Sequence, residues 1–248
     1  VPSREENDTV TEIEIRSGTE LPARREEIEL LTDDGLTLVG ELALPLSGAP
    51  VATLVTLHPL PTHGGFMDSH IFRKAASRLP ALADLAVLRF NLRGVSSPRG
   101  TSGGAFDGGE SERLDVKAAM DFVAERELPH PWLVGWSFGT ELVLRYGAQY
   151  PIDGAILLSP PLHRASDADV AAWEGNGKRL VAVVPEFDDY LRPAEARERF
   201  ASVPSIELVA IEGGKHLWVG ELQTRRVLDE IVARVNAAAY PLPTTYQE

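Results

Sequence analysis

Six short, largely unbroken apolar runs dominate this chain: Val51 to Leu57, Ala86 to Phe90, Trp132 to Gly135, Ala155 to Leu158, Leu180 to Val184 and Ile206 to Ile211. A strand reads this way when both its faces are buried, which happens when helices cover both sides of a parallel sheet. The intervening segments supply such helices. Phe72, Ala75, Ala76 and Leu79 in one, and Leu228, Ile231, Val232 and Val235 in the last, fall at i, i+3, i+4, i+7. Strand and helix in alternation predict an α/β fold with a mostly parallel central sheet and helices on both faces. At 248 residues the chain suits one such domain.

The ends of the pattern are different. Residues 1–25 are rich in acids and poor in large apolar side chains, and are expected to form a flexible arm with a short strand at Thr11 to Ile15. Residues 26–240 are assigned to the domain and 241–248 to a tail. Glu27 to Leu31 and Leu36 to Leu44 flank Thr32-Asp33-Asp34-Gly35, which predicts an antiparallel N-terminal hairpin. Asp107 and Glu110 have capping-box spacing ahead of a helix over Leu114 to Arg126. The interval Ser159 to Lys178 holds Pro160, Pro161, Gly175 and Gly177, and is too short for a large cap domain.

The strongest chemical signal is Gly135-Trp136-Ser137-Phe138-Gly139, a G-x-S-x-G placed between an apolar run and the helix-compatible Glu141 to Leu144. A serine presented there must sit on a sharp strand-to-helix corner, and only small neighbours let strand and helix approach closely. Where such a corner carries a triad, the order along the chain is serine, acid, histidine. Asp188 follows the run Leu180 to Val184, and His216 lies in Glu212-Gly213-Gly214-Lys215-His216, ahead of the last helix. Asp189 is adjacent and chemically equivalent to Asp188, which is favoured; Glu186 ranks third. His163 precedes every candidate acid, so chain order argues against it as the base. Ser137 is thus read as nucleophile, His216 as general base and Asp188 as the acid that orients it. Backbone N–H groups are needed for a developing oxyanion. Phe138, next after the serine, supplies one. In His58-Pro59-Leu60-Pro61 the prolines have no N–H, so Leu60 supplies the other.

His58, His63, His70 and Asp68 crowd the same region, but their spacing matches no standard ligand set, and no metal or cofactor is expected. His58 reads as a brace for the loop, which Gly64 and Gly65 let bend. Arg93 is read as a possible support for the loops. Trp136, Phe138, Phe66 and Trp218 are read as core in preference to an acyl pocket.

At these residues the chain resembles the small cap-less α/β-hydrolases related to dienelactone hydrolase and bacterial esterase-like proteins. The resemblance runs from about Leu30 to Val235. It is carried by His58-Pro59-Leu60-Pro61 with Gly64-Gly65-Phe66-Met67-Asp68, by Leu88-Arg89-Phe90-Asn91-Leu92-Arg93-Gly94, and by Phe106-Asp107-Gly108-Gly109-Glu110. It implies an α/β-hydrolase fold without a large cap, and an acid loop in which Asp188 keeps the acid's place while Pro185 and Leu191-Arg192 depart from the family's Gly and Val-Pro. Dienelactone hydrolases use a cysteine, and this chain has none. Ser137 therefore implies an ester or amide hydrolase, and the triad with the short cap interval favours a small-molecule ester with a small or medium acyl group, cleaved by way of an acyl-enzyme. Thioesterase, peptidase or acyltransferase activity on the same triad, and a non-catalytic binding role, are the alternatives.

The net charge of −13, with arginines scattered singly or in pairs, argues against nucleic acid as a partner. Val1 to Glu27 holds no apolar run, so no membrane association is expected and the protein is read as cytoplasmic. Nothing in the residues speaks to oligomeric state.

Overall fold

A computed structural model describes residues 12–247. In chain order the elements are β1 (Glu12–Glu14), β2 (Arg24–Leu31), β3 (Thr37–Leu44), β4 (Ala52–Leu57), α1 (His70–Ala83), β5 (Leu85–Phe90), β6 (Ser96–Ser97), β7 (Gly100–Thr101), α2 (Glu112–Glu125), β8 (Pro131–Trp136), α3 (Phe138–Tyr146), β9 (Gly154–Leu158), α4 (Asp167–Ala171), β10 (Arg179–Phe187), α5 (Pro193–Arg199), β11 (Glu207–Lys215), α6 (Glu221–Val235) and β12 (Thr245–Gln247). Each of the six apolar runs forms a strand. They assemble with the β2–β3 hairpin into one eight-stranded sheet, β11-β10-β9-β8-β4-β5-β3-β2. The six are mutually parallel, and β3 joins β5 antiparallel.

Helices cover both faces, which is why the runs are largely apolar; β11, at the edge of the sheet, is the partly exposed one and carries Glu207. On one side α1 and α6 press Phe72, Leu79, Leu228 and Ile231 against Leu54, Val87, Val134 and Val181. On the other, α2 and α3 contribute Val116, Met120, Leu142 and Val143 to a core with Val55, Leu88, Leu133 and Ala182. Full burial of one such side chain contributes about 1.5–3 kcal/mol. Between β9 and β10 the one helix is the five-residue α4, so among the described residues no large cap sits over the sheet's C-terminal edge.

Three expectations are corrected. The described part of the arm and tail is held on the body: β1 pairs with β12, Leu21 is buried, and Arg25 already belongs to β2. Backbone pairing between the two ends supplies what the acidic composition lacked in apolar contacts. Residues 1–11 and 248 lie outside the described residues. Helix α2 begins at Glu112, and the carboxylate that answers Asp107 is Glu112 in place of Glu110. Asp107 Oδ1 accepts from the N–H groups of Glu110 and Ser111, while Glu112 accepts from those of Asp107 and Gly109. Finally, the last strand, expected to end at Ile211, runs on to Lys215, so Gly213 and Gly214 lie inside β11, where they form a bulge that no local pattern specifies. Among the described residues no helix is long and apolar enough to cross a membrane.

Candidate active site

The parallel register brings the C-terminal ends of four strands to one edge. Leu57 of β4 is paired with Gly135 of β8, so the loop that carries Leu60 leaves the sheet beside the serine corner. Ser137 has φ 51° and ψ −115°, a conformation that costs about 1–3 kcal/mol for a residue with a side chain. The surrounding contacts hold it there. Ser137 N–H donates to Leu158 O of β9 at 2.9 Å, and Thr140 donates to Ser137 O from both N–H and Oγ1. The flanking glycines are required by contact: a Cβ on Gly135 would lie 2.5 Å from the Gly139 backbone, and one on Gly139 would lie 1.9 Å from Leu57 O.

The bulge in β11 decides what faces Asp188. At Pro185 the partner on β11 is Ile211, but at Phe187 it is Lys215, a slip of two residues. Without that slip the residue opposite Asp188 would be Gly214. With it, Asp188 and His216 leave their strands side by side. Glu186 pins the bulge by accepting from Gly213 N–H at 2.8 Å, so this third-ranked acid has a different task.

Ser137 Oγ lies 2.9 Å from His216 Nε2, and His216 Nδ1 lies 2.9 Å from Asp188 Oδ2. Both Asp188 and His216 are buried. The plane of the Asp188 carboxylate is set by the N–H groups of Tyr190 and Leu191, which donate to Oδ1 at 2.8 and 3.2 Å. With its Nδ1–H donating a hydrogen bond to that carboxylate, the imidazole turns the lone pair of Nε2 toward the serine hydroxyl. The arrangement can carry a proton from Oγ to the ring and back. Asp189 is exposed and makes no hydrogen bond to His216 among the described residues. His163 is exposed as well; its ring meets Tyr190 at 5.3 Å, and Tyr190 meets His216 at 4.6 Å.

Neither Leu60 N–H nor Phe138 N–H has an acceptor among the described residues, which leaves both donors available. The Leu60 loop is braced from below by His58. Its Nδ1–H donates to Pro59 O at 2.7 Å, and its Nε2 accepts from Leu92 N–H at 3.1 Å. Burial pulls the His58 ring down to about 4, so it stays neutral and keeps this tautomer. Asn91 holds the far end of the loop by accepting from Met67 N–H at 3.0 Å. Arg93 binds Asp115 and Asp34, and so secures the chain after β5 to α2 and the hairpin turn. Trp136, Phe138 and Trp218 are buried, and Phe66 is half-buried against the core.

Sequence reading missed Glu141. Its fully buried carboxylate accepts from three consecutive N–H groups, those of His163, Arg164 and Ala165, at 2.7, 3.0 and 2.6 Å. A lone acid ahead of Leu142-Val143-Leu144 was the available signal, since a carboxylate on a buried helix face must be fully hydrogen-bonded. Trp136 Nε1–H and Ser159 Oγ–H both donate to His216 O, at 3.2 and 3.1 Å, and these contacts had no sequence signal.

A strained serine between two obligatory glycines, met by a histidine and a carboxylate from the last two parallel strands, defines a hydrolase-type elbow on a doubly covered sheet. The family described as alpha/beta hydrolase fold matches residues 62–219, and the chain belongs to it. Its structure is similar to that of an alpha-beta serine hydrolase homologue from Coxiella burnetii, with TM-score 0.71 and 23% identity over 84% of this chain and 95% of that one. A lidless serine hydrolase from Xanthomonas campestris gives TM-score 0.67 and 26% identity over 91% and 99% of the two chains. An esterase from Pyrococcus furiosus gives 0.68 and 18% over 86% and 93%. An uncharacterized protein of Rickettsia prowazekii is 32% identical over 118 residues, 46% of this chain, and the chain spans about half the length of that curated relative. The protein is accordingly a member of the alpha/beta hydrolase fold family without a large cap among its described residues.

Proposed function

We propose that this protein is a serine hydrolase that cleaves a small-molecule carboxylic ester with a small or medium acyl group. The observation that carries the reading is the unbroken hydrogen-bond chain from Ser137 Oγ through His216 to Asp188. In this mechanism His216 takes the Ser137 proton as Oγ attacks the ester carbonyl. Asp188 fixes the tautomer and stabilises the imidazolium. The N–H groups of Leu60 and Phe138 receive the oxyanion, each contributing about 3–4 kcal/mol in the transition state. His216 then returns the proton to the departing alcohol, and water, activated by the same ring, releases the acid from the acyl-enzyme. The half-buried Ser137 and the absence of a large cap favour a substrate of modest size that approaches from solvent. Similar folds that bear the names serine hydrolase and esterase support the same reaction class.

The test is hydrolysis of p-nitrophenyl esters of increasing acyl length by the native protein and by Ser137→Ala. A loss of several orders of magnitude in the variant is expected. Equal rates in the two proteins would remove Ser137 from the mechanism, and inactivity of both on every chain length would overturn ester hydrolysis.

A further inference from the structure

The turn that carries His216 closes through Trp218 N–H, which donates to Lys215 O at 2.9 Å. This bond leaves the Leu217 carbonyl unused by the turn itself. Trp218 has φ 51° although it carries a large, fully buried indole. Positive φ is a strained choice for such a residue. Rotation of the peptide plane between Leu217 and Trp218 changes the φ of Trp218 directly, and would relieve that strain by swinging the carbonyl away. The Trp218 N–H bond to Lys215 O holds one edge of that peptide plane against the rotation, and the other edge, the Leu217 carbonyl, is held from outside the turn.

The first half of the turn is held by Trp136 and Ser159, both of which donate to His216 O. The second half is held from another quarter. His70 Nε2–H donates to Leu217 O at 2.7 Å, and its ring stands edge-on to Trp136 with centroids 5.2 Å apart. His70 is the first residue of α1, which directly follows the loop carrying Leu60. Resting on the reading of His216 as base, we propose that His70 is a positioning residue. Its N–H locks the Leu217–Trp218 peptide plane, and so couples the histidine's turn to the helix behind the oxyanion loop.

The frame around this contact is stiff. Lys74 and Arg78 of α1 both bind Glu221 at the start of α6, at 2.9 and 2.5 Å, so α1 cannot drift from the end of the turn. Burial is the main cause that holds the His70 ring below its ordinary range; the bond to Leu217 O works against it, and the neighbouring charges of Lys74 and Arg73 add to it. A neutral ring delivers the N–H without placing a cation beside the imidazolium that His216 becomes. A lysine or arginine in this place would oppose that charge.

Two variants test the coupling. His70→Leu removes the donor, whereas His70→Gln keeps an N–H at comparable reach. The readouts are hydrogen exchange at Trp218 N–H, the rate of Ser137 labelling by a fluorophosphonate, and kcat and KM on a p-nitrophenyl ester. For His70→Leu the expected result is at least tenfold faster exchange, with labelling and kcat about tenfold slower and KM within twofold. His70→Gln should lie within threefold of native in all of them. Native exchange in His70→Leu would overturn the proposal, as would equal impairment of both variants. If the native protein neither labels nor hydrolyses, the ester reading fails, while the exchange data still decide whether His70 holds the turn.

Discussion

Replacing Gly139 with alanine tests whether the serine corner has any slack. The new Cβ would lie 1.9 Å from Leu57 O and 3.1 Å from His58 O. The first distance falls about 1 Å short of the closest approach that real Cβ atoms make to other heavy atoms, so backbone must move. Strand β4 cannot be the part that yields, because β5 and β8 pair with it on both sides and the Leu60 loop leaves from its end. Helix α3 must therefore shift outward by about 1 Å, carrying Ser137 at its N-cap and the Phe138 N–H with it. Overpacking of this kind costs about 1–3 kcal/mol, and a rigid backbone contact belongs at the upper end. For a chain of this size that lowers Tm by about 6–12 °C. A misplacement of about 1 Å at the reacting atoms costs on the order of 100-fold in kcat/KM. The assay is thermal unfolding followed by ester kinetics, with Gly18→Ala as control. A Cβ at Gly18 meets nothing within 4 Å, so that variant should match the native protein in both. If Gly139→Ala also keeps native Tm and kcat/KM, the claim that this glycine is required by contact is wrong.

Three further outcomes follow from the same geometry. Asp188→Asn should lower kcat by about 10⁴-fold, because an amide cannot hold the required tautomer, whereas Asp189→Asn should stay within about twofold, since that side chain is exposed and away from His216; steady-state kinetics of the pair checks this. His58 has an ordinary value of 6.5 unfolded and about 4 folded, so between these pH values the unfolded chain binds more protons and stability falls as pH drops through the window. The loss approaches about 3 kcal/mol near pH 4, and urea unfolding should show a shallower acid limb in His58→Gln; an unchanged limb would exclude His58 as its source. Glu141→Gln presents an NH2 to backbone donors that now meet a carboxylate, and should cost about 1–3 kcal/mol, read as a Tm lower by about 2–12 °C; an unchanged Tm would mean that the 163–165 segment does not depend on this acceptor.

How much of this was legible in the residues depends on the range of the interaction. Each of the six parallel strands announced itself as a largely apolar run, and α1 and α6 did so by their 3.6-residue period, because burial acts along a whole strand or a whole helix face at once. The serine corner was legible because its constraint is local: Gly135 and Gly139 lie within two residues of Ser137. Leu60 could be nominated because Pro59 and Pro61 carry no N–H. Helix α2 was displaced because two acids, Glu110 and Glu112, compete to cap the same loop, and geometry between them decides.

The choice between Asp188 and Asp189 shows the other side. Both follow β10, and both carry the same group; adjacent residues point in different directions, and only the two-residue slip in β11 determines which of them meets His216. That slip depends on Gly213 and Gly214 adopting a bulge against a neighbouring strand, with Glu186 holding it from across the ladder. His70 and Leu217 are 147 positions apart, and Glu141 reaches a segment more than twenty residues away. By itself the sequence determined the sheet, its covering helices and the corner that presents Ser137, since periodicity and short-range sterics are written in consecutive residues. Only the tertiary structure decided the acid's partner and the contacts that hold His216, since these are set by register and by packing between strands and helices that no local pattern records.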